Sequence, residues 1–163
     1  MTTDRLLARL EAVEKRLQIV EDQEKIRECL ARYGFNADLG RSEDWVNTWT
    51  EKGVYDLGPN SRHTGPDELM YNIIQGKGHK SIENHSQHTV CNLFIRVNGD
   101  TAWAEGYSVV FTLQGTEYKA WTNGYNHWEF EKRGDRWFMT LRYRRAVGMD
   151  EWGGKVIKAY LKE

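Results

Sequence analysis

Apolar residues at Leu6, Leu10, Val13, Leu17 and Val20 recur at alternating intervals of four and three, the spacing that lays one narrow seam along an α-helix. The positions between them are rich in Glu, Arg and Lys, so the seam is the only greasy face of that helix and needs a cover, in its own domain or in another subunit. At just over two heptads it is short for a free-standing coiled coil. A second stripe, Ile26, Leu30, Tyr33 and Ala37, follows the polar run Glu21-Asp22-Gln23-Glu24 and stops before Gly40, a residue suited to a helix end. Ser42 is placed to cap a third, short helix with Trp45, Val46 and Trp49 on one side, closed by Gly53.

Beyond this point the period changes. Val54-Tyr55-Asp56-Leu57 reads as a strand bounded by Gly58-Pro59-Asn60, and Gly65-Pro66-Asp67-Glu68 opens a helix running to about Gln75. The stretch from Gly76 to Lys80 has loop composition. Four long strands are then expected, at about 86–97, 101–113, 118–131 and 136–147, with hairpin signals at Asn98-Gly99 and Gly134-Asp135. In the last strand Trp137, Met139, Leu141 and Tyr143 alternate with Phe138, Thr140, Arg142 and Arg144, which predicts a greasy face and a cationic one. Glu151-Trp152-Gly153-Gly154 precedes an expected terminal helix with Val156, Ile157, Tyr160 and Leu161. Helices first and antiparallel strands afterwards is the order of an α+β domain in which a curved sheet wraps the helices. A bent sheet that its helices fill only in part leaves a pocket.

At 163 residues, 39% hydrophobic and 29% charged, the chain is sized for a single domain, 1–163, whose first 25 residues form the amphipathic helix. A net charge of -1 offers no global field for nucleic acid or an anionic membrane. No apolar run approaches the length of a membrane span, and no signal-peptide pattern opens the chain, so a cytoplasmic location is expected. Cys29 and Cys91 read as free thiols. Seven Trp, eight Tyr and five Phe suit a core, and equally a pocket for flat or greasy ligands. Tyr55, Tyr107, Trp121 and Tyr125 are the candidates for lining one.

Histidine is the usual proton carrier near neutral pH. Of His63, His79, His85, His88 and His127, His88 stands out at the start of a long strand, where it is either an ordinary strand histidine or one aimed into a pocket. A metal site from His85 and His88 with His79 or Glu83 is disfavoured, because residues three apart on a strand face opposite sides. Asp38 sits at a helix C-terminus, where the dipole disfavours a carboxylate; it is either solvated there or stabilised by a cation such as a histidine. Tyr33 lies on the core stripe. Arg142 either faces inward, where it needs an anion or a set of acceptors, or joins Arg144 and Arg145 in an outer patch. Neither a Gly-x-Ser-x-Gly elbow nor a nucleotide-binding loop is present.

The segment Ala31-Arg32-Tyr33-Gly34-Phe35-Asn36-Ala37-Asp38, the aromatic Asp44-Trp45-Val46-Asn47-Thr48-Trp49, and Asn84-His85-Ser86-Gln87-His88-Thr89 ahead of four strands resemble the SnoaL-like branch of the nuclear transport factor 2-like superfamily. The group includes bile-acid 7α-dehydratase, hexachlorocyclohexane dehydrochlorinase and, more remotely, scytalone dehydratase and ketosteroid isomerase. The resemblance implies a cone-shaped α+β barrel, a homotrimer, a deep hydrophobic pocket, and no organic cofactor or metal. It implies an Asp38–His88 pair in which the histidine removes a proton, Tyr33 at the position of a catalytic tyrosine of the dehydratase, Arg142 at that of a catalytic arginine of the dehydrochlorinase, and Tyr55 near a pocket aromatic. The activity implied is cofactor-free elimination of water, or of a small carbonyl fragment such as formaldehyde, from a hydrophobic and aromatic or polycyclic substrate. Isomerisation or ring closure by the same pair, and a non-catalytic small subunit of a ring-hydroxylating oxygenase, are the other readings of this fold.

Overall fold

A computed structural model describes residues 2–148; the expected terminal helix lies outside them. The two N-terminal stripes belong to one helix, α1 (Thr3–Asp38), not two. Glu21-Asp22-Gln23-Glu24 contains no Gly or Pro and every member tolerates helical backbone, so the polar run changes the buried face without ending the helix. Residues 2–21 are all exposed, and burial begins at Asp22. From there Ile26, Leu30, Tyr33 and Ala37 pack into the core. At its end Gly40 takes a φ of +64°, and the Arg41 N–H donates to the Asn36 carbonyl at 2.9 Å, closing the helix as glycine at this position does.

The third expected helix is shorter than its aromatics suggested. α2 (Ser42–Val46) ends before Trp49, which opens β1 (Trp49–Gly58), and Gly53 lies inside that strand. β2 (Ser61–Thr64) folds back on β1. The helix expected from Gly65 comprises a turn, α3 (Gly65–Glu68), continued by a π-helical segment from Leu69 to Ile74, which buries Leu69 and Ile74. Lys77–Lys80, expected as loop, forms one helical turn, α4.

The four long strands are β3 (Ser86–Asn98), β4 (Thr101–Gln114), β5 (Glu117–Arg133) and β6 (Arg136–Ala146). The sheet order is β2-β1-β6-β5-β4-β3, with every pair antiparallel except β1 with β6. Each long hairpin turns on two residues, Gly99-Asp100, Gly115-Thr116 and Gly134-Asp135, with the glycine first at φ between +59° and +64°; a Cβ would meet open space there, and glycine is used for the left-handed backbone itself. The curved sheet wraps the second half of α1, and Tyr33, Trp45, Trp49, Trp128, Phe130, Trp137 and Met139 fill the space between.

One irregularity decides the chemistry. Glu129 faces Leu141 whereas Phe130 faces Met139, so Thr140 is an extra residue in β6. Such a bulge reverses the in–out phase of everything after it. Trp137 and Met139 therefore share their buried face with Arg142, not with Leu141, and the simple alternation expected for this strand fails at its midpoint.

Candidate active site

Asp38 is the last residue of α1, and the segment entering β3 is bonded onto it. Asn84, at φ 65°, donates its N–H to the Asp38 carbonyl at 3.0 Å. The carboxylate accepts from Ser86 Oγ at 2.9 Å, from the His88 backbone N–H at 3.0 and 3.1 Å, and from His88 Nδ1 at 2.6 Å. Burial works against its charge, yet the His88 ring and backbone N–H and the Ser86 hydroxyl outweigh it and hold the carboxyl below the usual carboxylate range. Since Nδ1 is engaged by Asp38, the ring's other nitrogen, Nε2, is left for the cavity that His88 lines. Gly34 permits this approach: a Cβ there would lie 3.3 Å from the His88 carbonyl oxygen.

Across from the pair lies a buried guanidinium. Arg142 is 4% exposed and no carboxylate pairs with it among the described residues. Its partners are neutral: Nε donates to Asn126 Oδ1 at 2.9 Å, one terminal nitrogen to Ser108 Oγ at 3.2 Å, and the other to the Tyr33 hydroxyl. The cation is sandwiched by rings, 4.8 Å from the centroid of Tyr55, 5.0 Å from Tyr33 and 5.7 Å from Trp128. Asn126, fully buried, also donates to Ser108 Oγ at 2.9 Å and to the Gly124 carbonyl at 3.1 Å. Burial pushes the Tyr33 hydroxyl well above its ordinary pKa, although Arg142 pulls the other way, so Tyr33 stays protonated and able to donate. A desolvated cation without a counter-ion is costly unless it awaits an anion.

Two cavity compartments meet at these groups, of about 440 and 240 Å³, both lined by Tyr33, His88, Ser108 and Arg142. The larger runs between α1 and β3 along Leu30, Ala31, Val90 and Leu93; the smaller is bounded by Trp45, Tyr55, Leu57, Trp121 and Arg144. His79 closes the smaller one with its ring centroid 5.7 Å from that of His88. Both its ring nitrogens are buried without a hydrogen-bond partner among the described residues. Burial and the neighbouring His88 pull its pKa down to about 4.

The structure thus brings together Asp38, His88, Tyr33, Arg142, Tyr55 and Trp121. Tyr107 and Tyr125 line neither compartment: they pair with each other across β4 and β5, while their neighbours face the cavity side, Ser108 in its wall and Asn126 bonded to Ser108 and Arg142, so alternation sends both tyrosines to the far face. That expectation is corrected. Arg145 is occupied by Asp56 at 2.7 Å, and Arg144 binds Thr122 Oγ1 at 2.6 Å and the Asn123 carbonyl at 2.8 Å, which leaves Arg142 facing the dyad. Ser86, Ser108, Asn126 and His79 were missed. Asn126 had a signal, its alternation with Trp128 and Phe130; Ser86 and Ser108 had none. Among the described residues no three His, Cys, Asp or Glu side chains converge as metal ligands would, and no helix is long and apolar enough to cross a membrane.

A sequence profile of the SnoaL-like domain matches residues 18–143. No curated protein matches the chain. Among solved structures, an NTF2-like protein with a cystatin-like fold from Novosphingobium aromaticivorans is 28% identical, over 98% of this chain and 97% of that one, with a TM-score of 0.75. A protein of unknown function from Mycobacterium tuberculosis is 20% identical over 85% of this chain and 77% of its own, TM-score 0.73. A scytalone dehydratase candidate from N. aromaticivorans is 16% identical over 77% and 84%, TM-score 0.66.

Proposed function

We propose that this chain, which belongs to the SnoaL-like domain family, is a cofactor-independent lyase that eliminates water or a small carbonyl fragment from a hydrophobic, aromatic substrate. The observation that carries the reading is His88, hydrogen-bonded to Asp38, in a shared cavity wall with a buried Arg142 that no carboxylate among the described residues pairs with. Asp38 fixes the His88 tautomer with the proton on Nδ1, leaves Nε2 as the acceptor, and lies 2.6 Å from the imidazolium once it forms. His88 Nε2 then takes a proton from the substrate. For loss of water this is a proton on the carbon beside the one bearing the leaving hydroxyl; for loss of formaldehyde it is the hydroxyl proton of a hydroxymethyl group, whose carbon–carbon bond breaks as the carbonyl forms. In the loss of water the electron pair expels a hydroxyl that Tyr33 protonates; in the loss of formaldehyde it is taken up by a conjugated carbonyl as an enolate-like oxyanion held by Arg142 and Tyr33, which the His88 imidazolium then protonates on carbon.

The two compartments fit a substrate with an apolar group on each side of the reacting centre, one against Leu30, Val90 and Leu93 and one against Trp45, Tyr55 and Trp121. A mass-spectrometric screen of steroid, diaryl-diol and hydroxyketone compounds tests the reading: product lighter by water or by formaldehyde supports a lyase, while product of unchanged mass replaces it with isomerisation by the same pair. Copurification with a large iron-bearing partner, and no turnover without it, would replace it with a non-catalytic subunit.

A further inference from the structure

The smaller compartment carries charge of one sign only. Its wall holds two guanidiniums, Arg142 and Arg144, and no Asp or Glu. The Asp38 carboxylate is engaged by His88 and Ser86. His79, held at about 4 by burial and the neighbouring His88, is neutral at pH 7 and adds no charge. The Thr140 bulge that turns Arg142 inward also sets Arg144 on that face, two residues on and about 7 Å along the strand. Two cations at that spacing repel each other, and walls of aromatic and aliphatic groups do little to screen them.

Arg144 has donors to spare. One terminal nitrogen, Nη2, donates to both Thr122 Oγ1 at 2.6 Å and the Asn123 carbonyl at 2.8 Å, which anchors one end of the guanidinium; Nε and Nη1 bond to none of the described residues. Gly124 makes room for the group, since a Cβ there would lie 3.1 Å from Arg144 Cζ and Nε. Burial, and then the charge of Arg142, pull Arg144 below its ordinary range although Tyr55 acts the other way; it is a cation all the same. Arg145, one residue on, has the Asp56 carboxylate at 2.7 Å, whereas Arg144 has none among the described residues. An anion bound beside it relieves the burial and the repulsion together.

We propose, resting on the lyase reading, that Arg144 receives a carboxylate carried by the substrate's ring in the smaller compartment, which makes the substrate an aromatic carboxylic acid. A volume of about 240 Å³ walled by Trp45, Tyr55 and Trp121 suits one ring with a small substituent. A carboxylate is ionised at neutral pH, whereas a phenol, with a pKa of about 10, stays protonated and leaves the two cations unbalanced. A phosphate ester brings three acceptor oxygens and up to two charges, more than the remaining donors of one guanidinium meet. The two arginines then have separate duties. Arg144 binds a charge present throughout, which lowers KM, and Arg142 meets one that develops only during the reaction, which raises kcat.

Calorimetry on the full chain with probes that have no leaving group tests this apart from turnover. Bibenzyl with a para carboxylate should bind about 10- to 100-fold more tightly than its primary amide, which has the same shape and no charge. Arg144→Gln should erase that difference while amide affinity and near-ultraviolet circular dichroism hold; Arg144→Lys, which keeps the charge, should retain part of it. The difference should shrink as salt is raised. With acids found by the mass-spectrometric screen, Arg144→Gln should raise KM far more than it lowers kcat. Equal affinity for acid and amide, or a preference that survives Arg144→Gln, overturns the proposal, and turnover of neutral compounds would then leave the lyase reading standing without it. A preference that Arg144→Gln erases, with no product from any compound, keeps the anion site and removes the lyase. Asp150→Asn, Glu151→Gln and Glu163→Gln together should leave acid affinity unchanged; a gain of about tenfold would mean that a carboxylate of residues 149–163 already holds Arg144, and overturns the proposal.

Discussion

His88 and Asp38 stand in a relation that each variant should expose separately. His88→Ala removes the base and Asp38→Asn replaces the carboxylate that fixes its tautomer with an uncharged amide that also carries a donor, so each should lower kcat by about 100- to 10,000-fold with far-ultraviolet circular dichroism unchanged. Full activity in either variant removes the dyad from the mechanism. Tyr33→Phe retains the ring packed 5.0 Å from Trp45 and loses only the hydroxyl beside Arg142. Its kcat should fall most for substrates with poor leaving groups, KM moving little; equal rates across a leaving-group series would show that the hydroxyl takes no part. Arg142 calls for a paired test. Arg142→Met alone strands the Asn126 carbonyl oxygen, at a cost of about 1–3 kcal/mol. Arg142→Met with Asn126→Leu removes cation and acceptor together, and should raise the urea midpoint above that of the single variant while activity stays lost.

At the level of elements, the helix–strand contact that builds the dyad depends on Gly34. Ala is the better helix former by about 0.5–1 kcal/mol, but its Cβ would press on the His88 carbonyl at 3.3 Å. Gly34→Ala should therefore reduce kcat while the urea midpoint holds or rises; unaltered turnover would mean β3 gives way freely. Asp22 ties α1 to β5 and β6, and Asp22→Leu leaves Lys132 and Trp137 Nε1 without it, at an expected loss of about 3 kcal/mol, read as a lower midpoint at constant m-value. These contacts also show what the sequence could reveal. Helical and alternating periods announced α1's stripes, the long strands and two of three turns, because period and turn chemistry are local. The places of Asp38 at a helix end and His88 at a strand start were legible because both signals are local; that the two form a pair came only from the family resemblance. The Thr140 bulge was not legible: an extra residue in β6 is registered only against β5, and with it went the direction of Arg142. Trp49 looked helical because Trp45, Val46 and Trp49 have the spacing of one helix face; it instead opens β1 and packs there on Tyr33, Trp45 and Tyr55, contacts a local period does not register.

For the molecule as a whole, histidines on the two sides of the sheet, His79 of α4 on the cavity side and His127 of β5 on the far face, respond to pH in opposite senses. In the cavity, burial and the neighbouring His88 hold His79 at about 4, against about 6.5 in an unfolded chain. Between those values the unfolded state binds a proton that the folded state refuses, so the stability this site contributes is intact above pH 6.5 and drains away as pH falls toward 4. On the far face burial lowers His127 too, but Glu105 at 2.8 Å and Glu129 outweigh it and raise the pKa. Its contribution is complete below about 6.5 and disappears as pH rises through the folded value. The carboxyl of Asp38, held below its ordinary value, adds to the acid loss only below this window. Urea midpoints measured from pH 5 to pH 8 should accordingly peak near pH 6.5. His79→Phe should flatten the acid side alone and His127→Gln the alkaline side alone, since the two lie on opposite sides of the sheet with no shared partner. If His79→Phe leaves the slope between pH 5 and 6.5 untouched, the ring takes up its proton without hindrance and the cavity around it is wetter than its buried nitrogens imply.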